Sequence, residues 1–240
     1  MKKIIHALTI IDKSSSMLEH RSKTIEGINA SLNELRKEAD KDTKILNTLL
    51  QFSVPNDLQN WRNPQPDTPE TLARKYVFTH IGKDVTKVKE LTEEDYIPDG
   101  GTPLLDSIGY GIEEIKKFHG DKLGDDNLKI IVTVFTDGDE NSSKKWKHAD
   151  ISQMVKHFEE DGRWTFTFVG CGSLENVTKT SGTLGIAANN TVAYAAMDLQ
   201  SGEATKNIAT SYCNYARSTK MGLVDDTLFI KKSLTVVEKK

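Results

Sequence analysis

Oxygen-bearing side chains alternate where the first apolar run of the sequence ends. The run IIHALTII at 4–11 is followed by DKSSS at 12–16, which contains Asp12, Ser14 and Ser16. Because alternate residues of an extended chain point in the same direction, these three side chains can turn toward one spot. A carboxylate and two hydroxyls at one spot form a donor set for a hard cation.

Two further segments carry the same kind of side chain. The segment PDGGTPLLD at 98–106 places Thr102 after two glycines, which let the backbone approach a ligand closely. Asp137 follows directly after the apolar run LKIIVTVFT at 128–136. In a parallel sheet the carboxyl ends of the strands meet at one edge, so the three segments would offer two carboxylates and three hydroxyls to one region.

This donor set favours Mg²⁺, because Mg²⁺ is usually held by one or two carboxylates together with waters, whereas Ca²⁺ prefers more ligands. Mn²⁺ or Ca²⁺ could occupy the same site, and the absence of thiols from it argues against Zn²⁺. If neutral hydroxyls supply the direct bonds, the bound cation keeps positive charge. We therefore expect it to attract an Asp or Glu side chain from a partner protein.

Strand-like runs alternate with helical patterns along the chain. Most of the runs are nearly continuous in apolar or β-branched residues, which is typical of strands covered on both faces. The strand-like runs are 4–11, 44–53, 75–81, 128–136, 164–170 and, more weakly, 191–196; the helical patterns lie near 17–39, after Pro103, at 151–158 and around 200–217. This alternation predicts an α/β fold with a mostly parallel sheet and helices on both faces.

The sequence indicates a single domain. Residues 54–73 contain four of the six prolines and predict a long surface loop. No linker or internal repeat divides the chain, so we expect one domain over residues 1–220. Residues 221–240 predict a C-terminal extension, either an added strand or a loosely held tail.

Composition argues against several classes of protein. The 240 residues are 37% hydrophobic and 28% charged, which is ordinary for a globular protein. A net charge of −3 disfavours nucleic acid or an anionic membrane as the main partner, and the one dense basic stretch, KKWKH at 144–148, is short for a nucleic-acid groove. No apolar stretch approaches the roughly 20 residues needed to cross a bilayer.

Cysteine usage and the N-terminus predict a cytoplasmic protein. Cys171 and Cys213 are too few for a disulfide framework, which favours a reducing compartment. The N-terminal sequence MKKIIHALTIID has a basic start but no small-residue cleavage site, so it does not resemble a signal peptide.

The motifs DKSSS at 12–16, GGTPLLDSI at 100–108 and FTDGDEN at 135–141 resemble, in order and interval, the metal-ion-dependent adhesion site of von Willebrand factor type A (vWA) domains. The resemblance covers most of the chain and is strongest to small stand-alone bacterial or phage members. It implies a doubly wound, Rossmann-like sheet of six strands with one antiparallel edge strand at KYVFTHI. It also implies a protein-binding module that is not an enzyme and that, in bacterial members, serves AAA+ ATPases or kinase and phosphatase systems.

By position, the resemblance assigns the metal site to five residues. Ser14 and Ser16 would coordinate the metal directly, and Thr102 directly or through water. Asp12 and Asp137 would act largely through waters.

A metal-dependent phosphoesterase is the alternative function. Hydrolysis of phosphate esters by two metals needs a cluster of carboxylates, which Asp12, Asp137, Asp139 and Glu140 could supply. Against this alternative, an aspartyl-phosphate phosphatase would need a second aspartate where Ser14 stands.

Simpler explanations exist for individual residues. Ser16 begins a capping-box pattern, and Thr102 before Pro103 has the pattern of a helix N-cap. We interpret Cys171 as a buried small apolar residue and His20 as a polar helix residue.

Overall fold

Six strands form one sheet in the computed structural model, which describes residues 2–59 and 65–194. The strands are β1 Lys3–Asp12, β2 Thr43–Phe52, β3 Tyr76–Asp84, β4 Leu128–Thr136, β5 Trp164–Cys171 and β6 Thr191–Tyr194. Their order across the sheet is β3-β2-β1-β4-β5-β6. Neighbouring strands are parallel except for β2 and β3, which are antiparallel. The predicted α/β fold with an antiparallel edge strand is confirmed.

Helices cover both faces of the sheet. Within the described residues they are α1 Arg21–Glu38, α2 Pro69–Lys75, α3 Leu104–His119, α4 His148–Glu160 and α5 Leu174–Thr183. One core contains buried residues of α3, α4 and α5 together with Leu8 and Ile10 of β1. The opposite face packs α1 through Leu32 and Leu35 against Ile5 of the same strand. No helix in the described part of the chain is long and apolar enough to cross a membrane.

The strand sequences explain the layering. β1, β2, β4 and β5 are buried along nearly their whole length, as continuous apolar runs predict for strands with helices on both sides. β3 alternates between exposed and half-buried residues, because it lies at the edge of the sheet.

Three features differ from the sequence prediction, and three predictions fall on residues that the structure does not describe. The predicted helix at 17–39 begins as a 3₁₀ turn over Ser15–His20, and α1 follows it. The predicted loop at 54–73 contains the start of α2, and α5 was not predicted at all. The helix expected at 200–217, the domain end at 220 and the extension at 221–240 lie outside the described residues.

Candidate metal centre

Two adjacent strands end side by side at one edge of the sheet. β1 ends at Asp12, and β4, its parallel neighbour, ends at Thr136, one residue before Asp137. The loops after both strands therefore leave the sheet at the same place, which is where ligands collect in open α/β sheets.

The segment before α3 is attached to both of these loops. Ser15 N donates to Gly100 O at 3.0 Å, and Asn141 N donates to Thr102 O at 3.1 Å. Gly100 has a φ of +81°, and a Cβ there would lie 1.8 Å from Val54 O, so only glycine fits this turn. The three segments predicted from sequence meet at one edge.

A chain of polar contacts joins four of the predicted residues. Ser14 N donates to Asp12 Oδ1 at 2.7 Å, and Ser14 Oγ lies 3.1 Å from Ser16 Oγ. Ser16 Oγ in turn donates to Asp137 Oδ1 at 2.8 Å. Asp12 and Ser14 are buried whereas Ser16 is exposed, so the cluster opens to solvent on the Ser16 side.

Gly138 marks the space that these oxygen atoms share with Thr102. A methyl group at Gly138 would lie 3.3 Å from Thr102 Oγ1, 3.6 Å from Ser16 Oγ and 3.7 Å from Asp12 Oδ2. Oxygen atoms from two of the segments thus surround one small space, which glycine of the third segment leaves free. The structure brings all five predicted residues together, while their binding of a metal stays a prediction.

The Asp12 carboxylate is buried without a cationic partner. Its exposed fraction is 0%, and no Lys or Arg of the described residues forms an ion pair with it. Burial raises the pKa of Asp12 to about 6, although hydrogen bonds from Thr136 and Ser14 oppose the shift. A cation beside Asp12 would supply the charge that the chain itself does not.

Asp137 is also poorly solvated. Its side chain is 7% exposed, and burial raises its pKa, an effect that the hydrogen bond from Ser16 and the nearby His20 oppose. The Nε2 atom of His20 lies 3.9 Å from Asp137 Oδ2, and the Nδ1 atom has no partner among the described residues. His20 lies in the 3₁₀ turn, as expected of a polar helix residue, but it is only 8% exposed and faces the site.

The donor set fits a small hard cation. Two carboxylates and three hydroxyls converge, and both carboxyl groups have a pKa raised by burial, which a divalent charge would reverse. The number of acidic ligands is the one that Mg²⁺ normally uses, with waters or an outside ligand completing the sphere.

The alternative hydrolase site is not assembled around these residues. Asp139 is exposed, and Glu140 turns away to accept hydrogen bonds from Leu105 N, Ser142 N, Ser143 N and Ser143 Oγ at 2.6–2.9 Å. In residues 2–59 and 65–194, no group of three or more His, Cys, Asp or Glu side chains is placed to hold a metal ion. The predicted cluster of four carboxylates is therefore not formed.

The capping explanations for the hydroxyls do not hold in the structure. The 3₁₀ turn at Ser15–His20 has no side-chain cap, and Ser16 bonds Asp137 instead. Thr102 gives α3 no side-chain cap either. The side chain of Glu140 caps α3 instead, because its carboxylate accepts a hydrogen bond from Leu105 N in the first turn of the helix.

Two supporting residues escaped the sequence analysis. Tyr96 is fully buried, and its hydroxyl donates to the backbone oxygen of Asp12; Thr136 Oγ1 donates to Asp12 Oδ2 at 2.6 Å. Thr136 precedes Asp137 in the FTDG motif and could have been considered from that position. Tyr96 lies 84 residues from Asp12, and nothing local in the sequence connects the two.

The remaining candidates have structural roles. Trp146 of the KKWKH stretch packs edge-on against Tyr110 with ring centroids 4.9 Å apart, and Lys145 lies over its ring, so this tryptophan is not free to stack on a base. Cys171 is partly buried, and both burial and the charge of Asp137 raise the pKa of its thiol, which disfavours the reactive thiolate.

Comparison with known proteins identifies the fold. No protein-family model matches the chain, and no curated protein is similar to it in sequence. The pilus adhesin SpaC from Lactobacillus rhamnosus GG, in an open conformation, has a TM-score of 0.58 and 11% identity, covering 92% of this chain and 30% of that chain. The vWF domain of the type V pili tip protein Mfa5 from Porphyromonas gingivalis has a TM-score of 0.54 and 10% identity, covering 93% of this chain and 97% of that chain.

A von Willebrand factor type A structure from Catenulispora acidiphila has a TM-score of 0.50 and 13% identity, covering 89% of this chain and 43% of that chain. The chain thus spans less than half the length of the adhesin and of the Catenulispora protein, and nearly all of the Mfa5 domain. At these identities the likeness concerns the fold, and the chain has the fold of a vWA domain.

Proposed function

We propose that this chain is a protein-binding module that depends on a divalent cation, in the first place Mg²⁺. Asp12, Ser14, Ser16, Thr102 and Asp137 hold the cation. An acidic side chain of a partner protein completes its coordination. The chain itself performs no chemical step in this proposal.

The convergence of oxygen atoms around Gly138 is the observation that carries the proposal. Those atoms come from two segments far apart in sequence and meet at a glycine of a third, and one of them belongs to a fully buried carboxylate without a counter-charge. A purely structural cluster would leave Asp12 neutralised or fully hydrogen-bonded, because an unpaired buried charge is costly. A bound cation resolves this cost and supplies Lewis-acid attraction for an outside carboxylate.

The residues of the site divide this task. The two aspartates give the charge that selects a dication, while the three hydroxyls bind it without adding charge. Because the hydroxyls leave positive charge on the cation itself, the bound cation can attract a further carboxylate, whereas a site of four acids would repel it. The exposed side at Ser16 is where the partner would approach.

The fold comparisons support a binding role rather than a catalytic one. SpaC is described as a pilus adhesin and Mfa5 as a pilus tip protein. We extend only the protein-binding role to this chain. The partner class implied by the family resemblance, an AAA+ ATPase or a kinase and phosphatase system in the cytoplasm, stays a prediction.

Titration of the purified chain with Mn²⁺, followed by the electron paramagnetic resonance signal of the free ion, tests the metal site. We expect saturable binding that Mg²⁺ displaces and that Asp137→Ala abolishes. The matched control is Asp139→Ala, which removes an exposed acid two residues away and should leave the binding unchanged. Equal loss in both variants would point to a diffuse acidic surface, and no saturable binding to the wild-type chain would refute the proposal.

The hydrolase alternative is tested with the same preparations. A generic phosphomonoester and a phosphodiester are incubated with the wild-type chain in Mg²⁺ or Mn²⁺. We expect no turnover above that of Asp12→Ala. Turnover that is lost in both Asp12→Ala and Glu140→Ala would favour the hydrolase over the binding module.

A further inference from the structure

Large apolar side chains are exposed around the candidate metal centre. Among the described residues, five such side chains are exposed, and Leu18, Ile97 and Leu174 are the most exposed at 60%, 59% and 58%. All three lie in segments that follow or adjoin the carboxyl ends of the parallel strands. Ile81 lies within β3, the outermost strand on one side of the sheet, and Phe118 lies near the end of α3. Exposed apolar residues that gather at one site indicate an interaction surface.

Hydrogen bonds between side chains and the backbone join the two segments that contain Leu18 and Ile97. The segment 15–21, which contains Leu18, is fastened to the segment 93–100, which contains Ile97: Arg21 Nε donates to Tyr96 O at 2.9 Å, and Gly100 N donates to Ser15 Oγ at 2.7 Å. Leu18 is two residues from Ser16, on the open side of the cluster. Leu174 begins α5 directly beyond β5, the neighbour of the strand that leads to Asp137.

The surface that carries these exposed apolar residues, here called the rim, is also acidic. Glu19, Glu93, Glu94 and Asp139 are exposed, and none of them pairs with a Lys or Arg of the described residues. Without a cation this surface would repel an acidic partner. With a cation bound, an acidic side chain of the partner is attracted only at the metal position. The surrounding carboxylates attract basic side chains of the partner.

We propose that this rim, defined by Leu18, Ile97, Leu174, Glu19, Glu93 and Asp139, binds a protein segment in which one Asp or Glu is flanked by apolar residues and by Lys or Arg. The inference rests on the metal-bridged binding proposed above and names the partner's surface chemistry. The carboxylate binds the cation, the apolar neighbours cover Leu18 and Ile97, and the basic residues face the acidic side chains. Charge complementarity distinguishes this occupant from a uniformly acidic segment, which the rim would reject.

Selection from a displayed library of random peptides tests this inference. The library, with peptides of about twelve residues, is applied to the wild-type chain in Mg²⁺ and eluted with a chelator. We expect the eluted peptides to share one acidic residue next to Leu, Ile, Val or Phe, with net positive charge in the flanks. Selected peptides that lack an acidic residue, lack apolar neighbours or have acidic flanks would overturn the inference. It would also be overturned if the chain binds Mn²⁺ but no peptide is eluted by the chelator.

Variants of the rim then separate this inference from the metal site. In fluorescence anisotropy with the best selected peptide, Leu18→Ser and Ile97→Ser should each weaken binding about fivefold to tenfold, while Mn²⁺ binding stays as in the wild type. Ile81→Ser, in the outermost strand β3, is the matched control and should have no effect. If Leu18→Ser and Ile97→Ser bind the peptide as well as the wild type, the rim proposal fails and the metal proposal stands; if the wild-type chain binds no Mn²⁺, the metal proposal itself fails.

Charge reversal of the rim gives a second readout. The double variant of Glu19→Lys and Glu93→Lys should bind the selected peptide more weakly than the wild type at low salt. Its affinity should also depend less on salt concentration. Unchanged affinity and salt dependence would show that the acidic side chains do not face the partner.

Discussion

Replacing Asp12 by asparagine should stabilise the metal-free protein while it abolishes the response to metal. The Asp12 carboxyl is fully buried, and its pKa rises from 3.8 to about 6. Each pKa unit corresponds to about 1.4 kcal/mol, so ionised Asp12 lowers the unfolding free energy at neutral pH by at most about 3 kcal/mol, relative to the protonated form. The folded-state value lies above the unfolded-state value, so this contribution to stability is present below about pH 4 and is lost as pH rises through about 6.

An amide fits the hydrogen bonds of this position. The oxygen of Asn at position 12 would keep the bond from Ser14 N, which is 2.7 Å long in the wild type. Its NH₂ group would donate to Thr136 Oγ1, whose own proton can turn to Gly138 O at 3.2 Å. Neither oxygen nor nitrogen is left unpaired, so the gain from removing the buried charge is not offset by a lost bond.

Urea unfolding measures the effect. In chelator at about pH 7.5, Asp12→Asn should have a higher unfolding free energy than the wild type, by about 2–3 kcal/mol. Saturating Mg²⁺ should stabilise the wild type and leave the variant unchanged, since only a ligand that binds the folded state shifts unfolding. Because other groups titrate in the same range, the measure is the difference between the two chains: in chelator, the unfolding free energy of the wild type relative to that of Asp12→Asn should fall as pH rises from about 4 to about 6.

Asp106→Asn is the matched control. Asp106 is also buried, but its carboxylate accepts from Lys144 N, Lys145 N and Trp146 N at 2.8–3.0 Å. An amide would place a donor against these donors, so this variant should be destabilised by about 2 kcal/mol or more with or without metal. If Asp12→Asn were destabilised to a similar extent in chelator, the argument that Asp12 lacks a counter-charge would be wrong.

Three other perturbations have defined outcomes. Gly138→Ala puts a methyl group among the oxygen atoms and should weaken Mn²⁺ binding about tenfold or more, measured by the same resonance titration; unchanged affinity would show that the space is not the metal position. Glu140→Ala removes the bond to Leu105 N and the bonds that order its own loop, and should lower the unfolding free energy in urea by about 2–3 kcal/mol. Burial and, to a lesser extent, His119 lower the pKa of His6 to about 3. As pH falls from about 8 to about 5, only the unfolded state takes up the proton, so His6 should lower the unfolding free energy of the wild type by about 2 kcal/mol. His6→Gln should flatten that part of the profile of unfolding free energy against pH.

The location of the site could be predicted because its residues follow apolar strands. β1 and β4 are long, continuous runs, so their ends are clear in the sequence and fix Asp12 and Asp137 at one edge. The segment around Thr102 was recognisable from its two glycines, of which the turn requires Gly100. The antiparallel edge strand came from the family resemblance rather than from the pattern of residues.

Other features depend on contacts that local sequence does not reveal. α5 has only Val177 and Ser181 as buried residues, so its sequence carries little apolar periodicity. The burial of His20 arises where the 3₁₀ turn passes Asp137, and the position of Tyr96 under Asp12 depends on how the segment between β3 and α3 crosses the edge of the sheet. Such long-range contacts are set by packing and have no local signature.

Asp12, Asp106 and Glu140 lie at this edge in similar local sequences, but they differ in the hydrogen-bond donors around them. Asp106 and Glu140 receive hydrogen bonds from three backbone N–H groups each and thereby hold the loop of residues 140–146 against α3. Asp12 receives donors from Ser14 and Thr136 and no cation from the described chain. Since a carboxylate satisfied by the backbone has little left to offer a metal, we expect Asp12 rather than Glu140 to interact with a bound cation. The distinction comes from the supply of donors, which only the folded chain determines. The cost of burying Asp12 without a counter-charge is the stability that a bound cation would restore.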